Sequence, residues 1–138
     1  MNIEPLKGLD LIEFGALSNR ARELFGEPDA IEKDGISNDK WLYHNLGLEF
    51  YFDPDEEFGL CSINVRSADV SLEGSYPVGL TDEELNTKFP NLTLNVADGR
   101  FKEYEYNSNE IEFWLKDDIV YMVCVYQKID MDQNEIVP

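Results

Sequence analysis

Six segments of the chain alternate apolar and polar residues with the two-residue period of strands that bury one face. They run from about 40 to 45, 48 to 53 and 59 to 66, and again from about 101 to 106, 110 to 116 and 119 to 127. Asn45-Leu46-Gly47, Asp53 to Glu57, Asn107-Ser108-Asn109 and Lys116-Asp117-Asp118 supply turn chemistry between them. A helix is predicted ahead of each trio. The first spans about 18 to 25 and stops at Gly26, with Pro28 beyond; the second spans about 81 to 89 and stops before Pro90. Ser18 and Thr81 stand where N-caps belong, Asp82, Glu83 and Glu84 place negative charge in the first turn, and Thr81 with Glu84 fits a capping box.

The two trios align at a shift of 63 residues. Leu17 meets Leu80, Ser18 meets Thr81, Trp41 meets Tyr104, Tyr43 meets Tyr106 and Glu49 meets Glu112. In the same register Phe50 meets Phe113, Tyr51 meets Trp114, Asp55 meets Asp118, Phe58 meets Tyr121 and Cys61 meets Cys124. The expectation is an α+β fold, a tandem α-β-β-β repeat with an antiparallel sheet and both helices packed on one face. Residues 1–70 form the first unit, 71–128 the second and 129–138 an acidic tail that frays, all within one compact domain. Residues 67–79, with Gly74, Pro77 and Gly79, connect the units.

Strand parity then sorts the side chains. Ile111, Phe113 and Leu115 alternate with Glu110, Glu112, Trp114 and Lys116, and Tyr104 and Tyr106 alternate with Glu103 and Glu105. An odd-length turn would bury two glutamates beside Ile111 and Phe113, at several kcal/mol each, so an even one is expected, pairing the tyrosines with the apolar set. Glu103, Glu105, Glu110 and Glu112 then share the opposite face, with like charges opposed across strands. In the first unit Trp41 and Tyr43 face the helix, while His44, Glu49, Tyr51 and Asp53 point away. Setting Cys124 inward leaves Tyr121, Val123 and Val125 outward. Carboxylates interleaved with aromatic anchors compose a protein-binding face. Its candidate residues are Glu49, Tyr51, Asp53, Glu103, Glu105, Glu110, Glu112, Trp114 and Tyr121; the competing reading is that the acids only keep an open sheet face solvated.

Composition gives this face its sign. The 138 residues carry 29 Asp+Glu against 11 Lys+Arg, a formal net charge of −18. Such a surface repels nucleic acid and anionic membranes, so neither is expected as a partner. Disorder is not expected either, because 43% of the residues are hydrophobic and 12% aromatic. No stretch of 18 apolar residues occurs and the first residues lack a basic, apolar leader, so a cytoplasmic protein with free, buried Cys61 and Cys124 is expected.

Catalytic chemistry is sparse. His44 is the single histidine, which excludes multi-histidine metal sites, and it is read as an exposed strand residue. Asp53-Pro54-Asp55-Glu56-Glu57 lacks the central Gly and terminal Glu of a calcium loop and is read as a turn. Glu49 and Glu112 occupy equivalent positions and could form a glycosidase-type pair, but no further feature supports it. No phosphate-binding loop or nucleophile elbow is present, so no cofactor, no metal and no enzymatic activity are expected.

The segment Phe14-Gly15-Ala16-Leu17-Ser18 leading to Leu24-Phe25-Gly26-Glu27-Pro28-Asp29, followed by three strands and a second such unit, resembles the tandem α-β-β-β architecture of the β-lactamase inhibitor proteins. That resemblance implies a sheet whose open face clasps another protein. A small, strongly acidic, non-enzymatic chain also resembles bacterial immunity proteins, including those of contact-dependent growth inhibition systems. The function expected is neutralisation of a basic toxin domain, its positive charge that of a nuclease, by occlusion of its active site. Three alternatives stand beside it: a DNA mimic that blocks nucleic-acid-binding proteins, a small hydrolase using Glu49 or Glu112, and a cytosolic domain whose acidity reflects a salt-adapted source.

Overall fold

A computed structural model describes residues 1–34, 38–55, 59–106, 109–130 and 135–136. In chain order the elements are β1 (Asn2–Glu4), β2 (Gly8–Leu9), α1 (Ser18–Phe25), β3 (Ala30–Asp34), β4 (Asn38–Tyr43), β5 (Leu48–Phe52), β6 (Leu60–Val65), β7 (Ser71–Leu72), α2 (Asp82–Lys88), β8 (Thr93–Asp98), β9 (Phe101–Tyr106), β10 (Ile111–Lys116), β11 (Ile119–Tyr126), β12 (Ile129–Asp130) and β13 (Glu135–Ile136). The fold is α+β: eight strands form one sheet in the order β3-β4-β5-β6-β11-β10-β9-β8, every neighbouring pair antiparallel.

The apolar halves of the strand patterns all turn to one side, and both helices cover it. Phe50, Phe52, Ile63, Val65, Phe113, Leu115, Val123 and Val125 are buried there with Ala21 of α1 and Leu85 of α2. Phe25 at the end of α1 stacks on Phe50 at 5.6 Å between ring centres, and Phe89, just after α2, packs on Phe113 at 5.1 Å. Fully burying such a side chain is worth about 1.5–3 kcal/mol, so these contacts hold two short helices that would not form alone. A clamp of charge fixes the start of α2: Asp82 accepts from the Lys102 ammonium at 2.5 Å and from the Tyr104 hydroxyl at 2.6 Å.

The even turn is realised, since Tyr106 pairs with Ile111 and Tyr104 with Phe113. The capping box is also present: Thr81 Oγ1 accepts the Glu84 N–H while Glu84 accepts the Thr81 N–H. Ser18 is not the N-cap of α1. That position falls to Leu17, which has no side-chain cap, because the segment entering α1 is one residue out of step with the strands that follow it.

Two edge strands were not foreseen in the pattern. β3 reads Ala-Ile-Glu-Lys-Asp and carries mostly charge, and β8 is exposed along its length with a bulge at Asn95 that turns Leu94 and Val96 to opposite faces. Charged, irregular edges discourage pairing with other chains and also erase the two-residue alternation. Residues 67–79 are more than a connector: β7 pairs in parallel with β1, and Val70 and Leu72 are buried. The tail holds a two-stranded ladder of β12 and β13 where fraying was expected. Strand β4 ends at Tyr43, so His44 stands in an exposed turn, its N–H donating to Asp29. Glu56, Glu57, Phe58, Asn107 and Ser108, invoked for turns or for the repeat, lie outside the described residues.

Gly59, with φ +66°, leads into β6 with its Cα against the carbonyl oxygens of Gly15 and Ala16; a Cβ there would lie inside their van der Waals radii. Gly99 has nearly the same φ, +60°, with open space around it. Gly59→Ala should therefore cost about 2–4 kcal/mol by urea unfolding and Gly99→Ala about 1 kcal/mol; equal losses would show that φ alone, and not the close approach, matters at Gly59.

Candidate functional site

The side of the sheet away from the helices carries the acidic residues, and its geometry follows from one pairing register used twice. In the first half Leu42 opposes Glu49, Glu49 opposes Asn64, and Lys40 opposes Tyr51. In the second half Glu105 opposes Glu112, Glu112 opposes Cys124, and Glu103 opposes Trp114. Both halves carry a bulge at the same place, after Tyr51 and after Trp114, which leaves Cys61 and Tyr121 as the extra residues. The halves meet where Asn64 opposes Cys124.

Matched positions carry opposite chemistry. Glu49 is surrounded by donors: Asn64 Nδ2 at 2.9 Å, Arg66 Nε at 3.1 Å and Lys40 Nζ at 3.7 Å. Burial opposes its ionisation, but the hydrogen bonds from Asn64 and Arg66 and the charges of Arg66 and Lys40 outweigh that and hold its carboxyl below the ordinary range. Lys40 also lies 5.7 Å from the centre of the Tyr51 ring, whose hydroxyl accepts from Asn64. This half is neutralised from within.

The second half is not. The place of Lys40 is taken by Glu103, and that of Arg66, which donates its N–H to Gly47, by Tyr126, which donates its N–H to Glu110. Glu112 accepts from the Tyr126 hydroxyl at 2.9 Å and the Trp114 indole N–H at 3.3 Å. Glu105 accepts only from Asn95, at 3.2 Å. Among the described residues no lysine or arginine is within ion-pair distance of Glu103, Glu105 or Glu112. Glu103 is only 8% exposed. Burial, then the hydrogen bond and charge of Glu112 and the charge of Glu105, push its carboxyl up to about 7. Cys124 beside them is pushed up to about 12 by burial and Glu112, which makes it a weak nucleophile at neutral pH. Burial is also the first cause of the raised Tyr126 hydroxyl.

An apolar rim borders these acids. Phe101, 42% exposed, packs edge-on against Tyr121, and Val96, 39% exposed, pairs with Glu103 at the edge of the sheet. Arg66 reaches from Glu49 to within 6.0 Å of the Tyr121 ring. Of the candidate residues, the fold thus brings Glu103, Glu105, Glu112, Trp114 and Tyr121 together in one half, and places Glu49 and Tyr51 in the neutralised half. Asp53 falls in a turn after β5, where its carboxylate accepts the Asp55 N–H. Glu110 is exposed at φ +52°, in the turn before β10 and outside the strand row assigned to it.

The predicted parity of β11 is reversed. Val123 and Val125 point into the core and Cys124 lies on the acidic face, because the chain between the paired Leu115 and Val120 is three residues shorter than that between the paired Phe52 and Leu60. Cys61 and Cys124 are therefore not equivalent; Cys124 matches Asn64, and neither cysteine is in a disulfide. Shifting the alignment by those three residues would have exposed the match of Arg66 with Tyr126. Glu49 and Glu112 are separated by three strand spacings, about 14 Å, beyond the roughly 5–9.5 Å of paired glycosidase carboxylates. No group of three metal-ligating side chains is assembled among the described residues, and no helix there is long and apolar enough to cross a membrane.

No protein-family model matches the chain, and no curated protein sequence does. Two solved structures share its fold. One is an extracellular protein containing an SCP domain from Bacillus anthracis, with a TM-score of 0.55 and 16% identity over 80% of this chain; this chain spans 42% of that protein. The other is a DUF4309 family protein from Bacillus subtilis, with a TM-score of 0.53 and 17% identity, covering 88% of this chain and 84% of that one.

The raised Glu103 carboxyl has a consequence for stability. Between the ordinary carboxyl range and about 7 the folded chain holds a proton that the unfolded chain has lost, so stability falls as pH rises through that window and the loss is complete above it. The groups facing Glu103 are Glu112 and Trp114 on β10, Glu105 on β9, Val96 on β8, and Cys124 and Tyr126 on β11. Glu103→Gln should leave the thermal midpoint near pH 4 almost unchanged and raise stability at pH 8 by on the order of 2 kcal/mol. An equal gain at both pH values would show that Glu103 does not hold the proton.

Proposed function

We propose that this chain is a binding protein that docks a basic protein domain on the acidic half of its open sheet face, and that it acts as an inhibitor or immunity protein against a basic toxin. The observation that carries this reading is a cluster of Glu103, Glu105 and Glu112 with no lysine or arginine of the described residues within ion-pair distance, bordered by Trp114, Tyr121 and Phe101. Like charges opposed on a sheet cost stability, and a partner's cations recover that cost on binding. The aromatic rim favours one shaped partner over a DNA mimic's general attraction to basic proteins, because anchors of that kind add specificity to charge. The toxin's site is occluded by contact, without catalysis, cofactor or metal, and two cysteines outside any disulfide fit a cytoplasmic setting. We read the two halves as copies of one α-β-β-β unit, each extended by an edge strand, of which the second carries Glu103 and Tyr126 where the first has Lys40 and Arg66.

The domain to test is the C-terminal domain of the protein encoded immediately upstream, made in an inactive form. A 1:1 complex is expected whose association rate falls at least about tenfold as salt rises from about 50 to 500 mM, and co-expression should relieve the toxicity of the active form. An association rate indifferent to salt, or an upstream product without a basic toxic domain, overturns the reading.

A further inference from the structure

The neutralised half of the sheet states what the acidic half lacks. Around Glu49, one cation stands on the neighbouring strand over an aromatic ring, Lys40 over Tyr51, and a second, Arg66, closes the other side. At the matched positions of the acidic half the carboxylate is Glu112, the ring is Trp114, and the cation positions hold Glu103 and Tyr126. Glu103 is nine-tenths buried, opposite Trp114 and beside the strand pair that holds Glu105 and Glu112. The carboxylate, the ring and the donors that orient Glu112 are thus in place, and among the described residues no lysine or arginine stands with them.

We infer that this patch of the sheet face receives an arginine side chain of the partner, its guanidinium laid on the Trp114 ring and donating to Glu103 and Glu112. The inference rests on the reading of this face as a docking site for a basic protein and names the contact at its centre. Arginine fits better than lysine. Its planar group can donate to two carboxyl groups at once while stacking on an indole, whereas an ammonium offers a point charge. The half-exposed Trp114 and the buried Trp41 make the event visible, because a change in the environment of Trp114 is the larger part of any fluorescence response. Val96 and Phe101, beside Glu103 and Tyr121, offer the arginine's aliphatic stem and its neighbours an apolar border.

The decisive variant is Glu103→Lys, which installs in the acidic half the residue that stands at Lys40 in the other. It should fill the patch from within. Acetylated, amidated tetra-arginine is the probe, titrated at low salt and pH 7.5 with Trp fluorescence and calorimetry as readouts. Wild type is expected to bind it with a salt-sensitive affinity several-fold above that for tetra-lysine, and Glu103→Lys to lose at least tenfold while melting higher than wild type at pH 8. Glu83→Lys, the same charge change on the helix side, should stay within about twofold of wild type. Glu103→Gln, which removes the charge and keeps the shape, should lie between and guards against a folding defect in the lysine variant. Affinity that Glu103→Lys leaves untouched, or that both lysine variants weaken alike, overturns the contact at this patch and leaves a basic partner standing. Equal binding of tetra-lysine overturns the choice of arginine, and no salt-sensitive binding of either peptide by wild type overturns both the contact at this patch and the reading beneath it.

Discussion

The pairing of β6 with β11 is the contact on which the rest of the molecule depends. Centred on Asn64 opposite Cys124, it joins two four-stranded halves into one sheet and sets which rows of side chains share a surface. Ile63, Val65, Val123 and Val125 on these strands are fully buried, so the seam is also the middle of the core. A slip of one residue here would send valines to water and carry Asn64 and Cys124 inward, a cost that the alternation of both strands makes prohibitive. With the seam in place, Glu49 and Glu112 must lie on one surface, on opposite sides of it.

That surface is asymmetric for an electrostatic reason. Where Glu49 has Lys40 and Arg66, Glu112 has Glu103 and Tyr126, and three glutamates stand together on two adjacent strands. The sheet tolerates them because the opposite side of the same strands is closed by Phe113, Phe89 and Tyr106 and because Asp82 ties α2 to Lys102 and Tyr104. Apolar packing on one side thus sustains electrostatic strain on the other.

Most of the fold was legible because the helices and six central strands announce themselves locally. The stops at Gly26 and Pro90, the Thr81–Glu84 box and the period-two runs each depend on residues close in sequence. The glutamate row at Glu103, Glu105 and Glu112 followed from parity, since burying two carboxylates costs more than any turn preference. The edge strands β3 and β8 were missed, because an edge guarded by charge and a bulge has no clean period to read. The faces of Cys124, Val123 and Val125 were assigned wrongly, because a gapless alignment carried the spacing between Phe52 and Leu60 across to Leu115 and Val120, which stand three residues closer in the chain.

The amino-acid sequence by itself determined most of the element types, the even register of the second hairpin and a net charge of −18. These rest on propensity, alternation and composition, which act over a few residues or over the whole chain. Only the tertiary structure decided which acids are neutralised and which are not. Lys40 and Arg66 reach Glu49 across strands up to 17 residues apart in the chain, while Glu103 and Glu112 are brought together on adjacent strands with no lysine or arginine of the described residues in ion-pair reach. Charge interactions between side chains fall with distance in space and not along the chain, so their balance is written in the pairing of strands.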